Sequence, residues 1–285
     1  MTRLWAMAVA VTSAAALQAD QGVFRARTDV VAIDVSVMDG TKAVTSLTIK
    51  DFRLTDEGVA QTLIDVGREP MPLDITLTID ISGSVSPDQR ATIERAIQQV
   101  SATLRADDRC SVVSFDGHIF EEAPLHHPPL RFTLAKHSGG TSLIDALLLS
   151  MVTAPTIGRR QLNLVLTDGM DTTSFFDPAR VTDTMKYANG QTSVVLVRRR
   201  NMPVRDDRSR ELLNDVTATS GGQVVVLDRQ EELNATFLAA LEAFRTSYLL
   251  RYTPTGVSRS GWHAVKVTVN GRSSSAIRAR QGYWY

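Results

Sequence analysis

The sequence predicts an α/β fold: a doubly wound, mostly parallel sheet with helices on both faces, inserted in a small β-sandwich formed by both chain ends. Three observations carry this. Residues 73 to about 245 alternate short apolar runs with amphipathic stretches, the pattern of a parallel sheet covered by helices. Residues 23–69 and 247–285 show two-residue alternation instead, and together supply roughly seven strands, enough for one small sandwich, whereas neither piece could close a core alone. Pro70-Met71-Pro72 is the sharpest break between the two patterns.

The chain opens with one positive charge at Arg3, an uncharged Ala-, Val- and Leu-rich run from Leu4 to Leu17, and small residues after it. That is the pattern of a secretory signal peptide over residues 1–19, cut after Ala19 or after Ala16, and it is too short for a comfortable membrane span. The expectation is an exported protein, periplasmic or secreted, with no membrane span after cleavage. In the first β piece Val31, Ile33, Val35 and Val37 alternate with more polar neighbours. Asp39-Gly40 marks a hairpin, and Phe52–Thr55 and Ala60–Val66 flank a second turn at Asp56-Glu57-Gly58.

The unit over residues 70–246 starts with Leu73–Ile79, a short β-branched run bounded by Pro72 and a polar turn, hence a buried strand. A helix restarts at Ser86-Pro87-Asp88-Gln89, with Ser as N-cap, Pro at the first position and Gln completing a capping box. Ile93, Ile97, Val100 and Leu104 give that helix its apolar face. Strands follow at 110–115 and 118–123, then a helix near Ser142 and a strand at 162–167. Next come a helix capped by Asp177-Pro178, a strand at 192–197, a helix from Ser209 to Gly221-Gly222, a strand at 223–227, and a last helix to about Arg245. After it, Val265, Val267 and Val269 restore the period of two, and Asn270-Gly271 supplies a turn.

Composition narrows the function classes. The 31 basic residues balance 31 acidic ones, so there is no electrostatic footprint for nucleic acid and no polybasic membrane anchor. A single cysteine, Cys110, excludes an intrachain disulfide and sits in an apolar strand as a small buried residue. His126-His127 precedes two prolines and reads as loop surface. The run Arg198-Arg199-Arg200 with Arg205, Arg208 and Arg210 reads as a solvated loop, or else as a surface that steers an acidic partner. The sequon at Asn234 falls inside the last helix.

The chemistry concentrates at the ends of two strands. Asp80-Ile81-Ser82-Gly83-Ser84 puts a carboxylate and two hydroxyls on a strand-to-helix turn. These are hard oxygen donors suited to Mg²⁺, Mn²⁺ or Ca²⁺ and not to Zn²⁺ or copper; taken alone, the same residues also suit an ordinary capping loop. Gly139-Gly140-Thr141-Ser142 offers a further hydroxyl before a helix, and Leu162–Thr167 runs into Asp168-Gly169. In a doubly wound sheet, ligands bind beyond the carboxyl ends of the strands where strand order reverses.

These three stretches, in this order, resemble the metal-ion-dependent adhesion site of von Willebrand factor type A domains. The resemblance implies a Rossmann-like fold and a divalent cation, Mg²⁺ first and Mn²⁺ or Ca²⁺ as alternatives, held by Asp80, Ser82, Ser84, Thr141 and Asp168. More narrowly, LTIKDFRLTDEGVAQTLIDVGRE before the first strand, with YLLRYTPTG and ARQGYWY at the end, resembles the exported VWFA-related proteins known chiefly from Acidobacteria. With only two acidic groups around a dication, the open coordination position would favour an anionic ligand, most simply an Asp or Glu carboxylate of a protein partner. The expectation is a protein-binding module and not an enzyme. Asp171 and Asp177 read as solvated or capping, and there is no Walker motif, Gly-x-Ser-x-Gly elbow or Cys/His cluster. A structural protein of the cell envelope with an unused metal site is the alternative, with a metal-dependent hydrolase behind it.

Overall fold

The computed structural model describes residues 30–285 except 41, 69, 137–138, 153–155 and 199–206. The predicted signal segment and Arg199, Arg200 and Arg205 therefore lie outside the described residues. The N-terminal strands are β1 (Val31–Asp39), β2 (Lys42–Ala43), β3 (Phe52–Asp56), β4 (Val59–Gln61) and β5 (Leu63–Gly67). The middle unit runs β6 (Leu73–Asp80), α1 (Pro87–Thr103), β7 (Arg109–Phe115), β8 (Ile119–His126), α2 (Leu143–Met151) and β9 (Arg160–Thr167). It continues with α3 (Pro178–Tyr187), β10 (Gln191–Val197), α4 (Asp207–Ser220), β11 (Val224–Leu227) and α5 (Leu233–Arg245). The chain closes with β12 (Tyr248–Tyr252), β13 (Trp262–Val269), β14 (Ile277–Ala279) and β15 (Gly282–Trp284).

The central sheet has the order β11-β10-β9-β6-β7-β8, parallel except for the antiparallel pair β7–β8. Chain order goes outward from β6 to β7 and then returns to β9 on the other side, so the reversal falls between β6 and β9. Leu73, Ile75, Leu77 and Ile79 of β6 pack with α1 and α5 on one face. Val165 and Val194 pack with α2, α3 and α4 on the other. The first helix starts as the sequence predicts: Gln89 N–H donates to Ser86 Oγ, and Ser86 N–H donates to Gln89 Oε1 at 2.8 Å. Cys110 is fully buried, which pushes its thiol pKa up, and it serves as packing.

Both chain ends build the second layer pair. One sheet has the order β14-β1-β12-β5 with β2 on β1, and the other β15-β13-β3-β4. Their shared core holds Ile33, Val35, Val37, Phe52, Leu54, Tyr248, Leu250 and Tyr252, with residues from both ends. At its centre lies a polar knot. The carboxylate of Asp56, fully buried, accepts hydroxyl hydrogen bonds from Tyr252 (2.9 Å) and Tyr283 (2.8 Å), and His263 Nδ1 lies 3.0 Å from its other oxygen. Burying the carboxylate without these three partners would cost several kcal/mol, of order 3–5.

One local reading changes. His126 is not loop surface, because β8 extends to it, opposite Cys110 of β7. The more polar face of β1 is covered at Asp34 and Ser36, whereas Ala32 on it is exposed. Ser36 Oγ donates to Ala243 O at 3.3 Å, and Asp34 lies 2.5 Å from the guanidinium of Arg160, which also donates to Phe244 O and Ser247 Oγ. That face docks onto the start of β9 and the end of α5. Among the described residues no helix is long and apolar enough to cross a membrane.

Candidate metal centre

The parallel register sets Asp80 beside the end of β9, since Ile79 pairs with Leu166. Beyond β6 the chain stays anchored, because Ile81 is fully buried and its N–H donates to Phe115 O at 2.8 Å. Asp80 is 3 % exposed. One carboxylate oxygen accepts from Ser82 N–H and the other from the Thr167 hydroxyl, both at 3.0 Å. Ser82 Oγ lies 3.2 Å from Ser84 Oγ, and Ser84 Oγ donates to Asp168 Oδ2 at 3.0 Å. Four of the five residues picked out in the sequence thus form one chain of contacts across the β6–β9 junction.

Thr141 joins through the backbone. Gly83 N–H donates to Gly139 O at 3.2 Å, which ties the first loop to the second. The Thr141 carbonyl accepts from Thr172 and Thr173 N–H (2.8 and 3.1 Å), and Thr141 N–H donates to Thr172 Oγ1 at 2.8 Å, which ties it to the loop after Asp168. Thr141 is buried. Gly140 makes this approach possible, since a Cβ there would fall 2.5 Å from Thr173 Cγ2 and 2.9 Å from Thr172 Oγ1.

Two positioning residues escaped the sequence reading. Thr167 orients Asp80 from the neighbouring strand. Asp116, buried after β7, accepts from His118 and Gly139 N–H (2.8 and 3.1 Å), and its carbonyl accepts from Ser142 N–H at 2.7 Å, so it holds the Thr141 loop at both ends. An Asp one residue past a strand and ahead of a Gly was the available signal. Asp171 accepts from Ile144 N–H at the start of α2, and Asp177 from Ala179 N–H at the start of α3. Both carboxylates serve helix ends. Of the arginine run, Arg198 pairs with Asp228 at 3.2 Å, while Arg208 and Arg210 are exposed on α4.

Burial raises the pKa of Asp80, and the charge of Asp168 adds to this, against the hydrogen bonds from Ser82 and Thr167. An ionised carboxylate is therefore held where a neighbouring charge and lost hydration disfavour it. A dication among these oxygens would reverse that penalty, and two carboxylates with three hydroxyls match the preference of Mg²⁺ or Mn²⁺ for hard donors. The residues fit such an ion. Among the described residues no group of three or more His, Cys, Asp or Glu side chains forms a separate metal cage.

The family model for the von Willebrand factor type A domain matches residues 74–239. No curated protein matches the chain. Among solved structures, a von Willebrand factor type A protein from Catenulispora acidiphila aligns at 12 % identity and TM-score 0.49, covering 92 % of this chain and 74 % of that one. An aerotolerance-related membrane protein from Bacteroides fragilis aligns at 14 % identity and TM-score 0.45, covering 60 % and 98 %. BatB, a conserved hypothetical protein from Bacteroides thetaiotaomicron, aligns at 16 % and 0.41, covering 60 % and 98 %. None of these likenesses bears on activity.

Proposed function

The chain belongs to the von Willebrand factor type A domain family, and from this we propose that it is an exported protein-binding module. It takes an Asp or Glu carboxylate of a partner through a divalent cation held by Asp80, Ser82, Ser84, Thr141 and Asp168. The observation that carries this reading is the continuous contact chain Asp80–Ser82–Ser84–Asp168 at the point where strand order reverses. When bound, the cation supplies the positive charge that a partner's carboxylate meets. The chain's own residues do the rest. Thr167 and the Ser82 N–H fix the Asp80 carboxylate, Asp116 holds the Thr141 loop, and Gly140 lets that loop approach. Mg²⁺ is the first choice of ion, with Mn²⁺ or Ca²⁺ as alternatives.

The flanking β pieces support assignment to the exported VWFA-related branch of the family, with a cleaved signal at 1–19 and a periplasmic or secreted location. Residues 70–246 form the inserted domain, and 23–69 with 247–285 the sandwich. The module is not an enzyme in this reading, because the carboxylates next to the site, Asp171 and Asp177, are used at helix ends.

Calorimetric titration of Mg²⁺ and Mn²⁺ into the wild type and Asp80→Ala tests the proposal. Binding to the wild type alone is expected. Equal binding to both proteins, or binding to neither, refutes it and leaves a structural envelope protein with an unused site. A hydrolase screen in Mg²⁺ or Mn²⁺ should stay at background. Turnover that disappears in Asp168→Ala would make the protein a metal-dependent hydrolase instead.

A further inference from the structure

A groove opens directly beside Asp80, Ser84 and Asp168 and runs between the start of α1 and the connection from β11 to α5. It encloses about 790 Å³, within the ~300–1,000 Å³ range of ligand clefts. Its floor is aliphatic: Val85, Ile93, Leu166, Val197 and Leu233. Its rim is ionic, and among the described residues both of its arginines are matched. Arg198 lies 3.2 Å from Asp228, and Arg229 is paired with Glu232. Glu231, exposed on the same rim, adds a negative charge that has no ion-pair partner among the described residues. Gln230 Nε2 donates to Gln89 O at 3.1 Å, which joins the rim to α1.

We infer that this groove is the specificity subsite of the metal-dependent interaction and that it takes a large aliphatic or aromatic side chain one or two residues after the partner's acidic residue. The inference rests on the metal-bridged reading above and adds to it the sequence the partner must carry. Three residues that hold the ion also line the groove, so the metal edge and the cavity are continuous. Successive Cα atoms are 3.8 Å apart, so the residue one or two positions past a metal-bound acid lies within about 7 Å of it. A side chain starting there can reach the aliphatic floor. A second acid in that place would meet two arginines already matched by carboxylates and the charge of Glu231, and would leave its hydration for no gain. The subsite therefore favours acid-then-apolar over acid-then-acid.

Fluorescein-labelled pentapeptides report this by anisotropy in saturating Mg²⁺. The set is Gly-Gly-Asp-Leu-Gly, Gly-Gly-Asp-Ala-Gly, Gly-Gly-Asp-Asp-Gly and Gly-Gly-Asn-Leu-Gly. The Asp-Leu peptide should bind about tenfold more tightly than Asp-Ala, the ratio expected from burying most of a leucine side chain. Asp-Asp should bind no better than Asp-Ala, and Asn-Leu should not bind. Glu231→Trp fills the groove and should erase the Leu-over-Ala preference while leaving Mg²⁺ titration unchanged. Glu231→Arg, a change without added bulk in the floor, should raise Asp-Asp affinity selectively. Equal affinity for Asp-Leu and Asp-Ala, or no peptide binding when Mg²⁺ is bound, overturns the subsite and leaves the metal site standing. Failure of Mg²⁺ itself to bind overturns both.

Discussion

Leu250→Ala tests whether the sandwich and the central α/β sheet are separate folding units. Leu250 is fully buried on β12, where it faces Ile33 of β1 and Val66 of β5 across the sheet. Its cluster is distinct from the two that cover the central sheet. Truncation removes apolar burial and leaves a cavity bounded by paired strands that cannot collapse freely, a loss of about 2–5 kcal/mol. A domain's whole stability is about 5–15 kcal/mol, and each kcal/mol moves the melting point of a unit this size by roughly 4–8 °C. The sandwich transition should therefore fall by about 10 °C or more. The α/β transition should stay nearly in place, because Arg160 keeps its bonds to Phe244 O and Ser247 Oγ when Asp34 departs. Scanning calorimetry should resolve two transitions, and limited proteolysis with mass spectrometry should release a protected fragment starting near Pro70 and ending near Thr246. Mg²⁺ affinity should be unchanged. A single transition that shifts as a whole, or first cuts inside residues 73–245, would show that the two parts fold as one unit.

Asp80→Asn should abolish Mg²⁺ binding yet raise the melting temperature measured in chelator, because it removes a buried charge that Asp168 repels while its amide oxygen can still accept from Ser82 N–H; an unchanged or lower melting point contradicts the electrostatic account. Asp108 is fully buried, and although burial opposes it, hydrogen bonds from Arg245 and from the backbone of Arg105 and Leu73 hold its pKa below the usual value. Its stabilisation is then present above the unfolded carboxylate pKa of about 3.9 and lost as pH falls through the lower folded value. Asp108→Asn should cost about 3–5 kcal/mol at neutral pH and flatten the acid limb of a stability–pH curve from urea titrations. Gly222→Ala should cost at least about 1–3 kcal/mol, read as a lower urea midpoint, because the new Cβ would fall 1.8 Å from Thr192 O and 2.6 Å from its carbonyl carbon, backbone atoms of β10 that cannot step aside.

What was legible in the sequence is what neighbouring residues decide. β6 is an unbroken apolar run, α1 begins at a Ser-Pro-Asp-Gln cap, and Asp80, Ser82 and Ser84 share one turn, so each could be read from a window of a few residues. The inward alternation of Ile33, Val35 and Val37 was legible for the same reason. The opposite face of that strand was not, because Asp34 and Ser36 look solvent-facing until Arg160 and Ala243, more than a hundred residues away, pack over them. The same holds for Asp56, which reads as a turn residue but lies buried beneath Tyr252, His263 and Tyr283. Thr167 gained its role only when the parallel register put it beside Asp80. The groove at the metal edge exists only because α1 and the β11–α5 connection stand apart there. Local periodicity and capping act over one or two turns of chain, whereas register, docking and cavities depend on which distant segments the fold brings together, and short-range pattern carries no record of that.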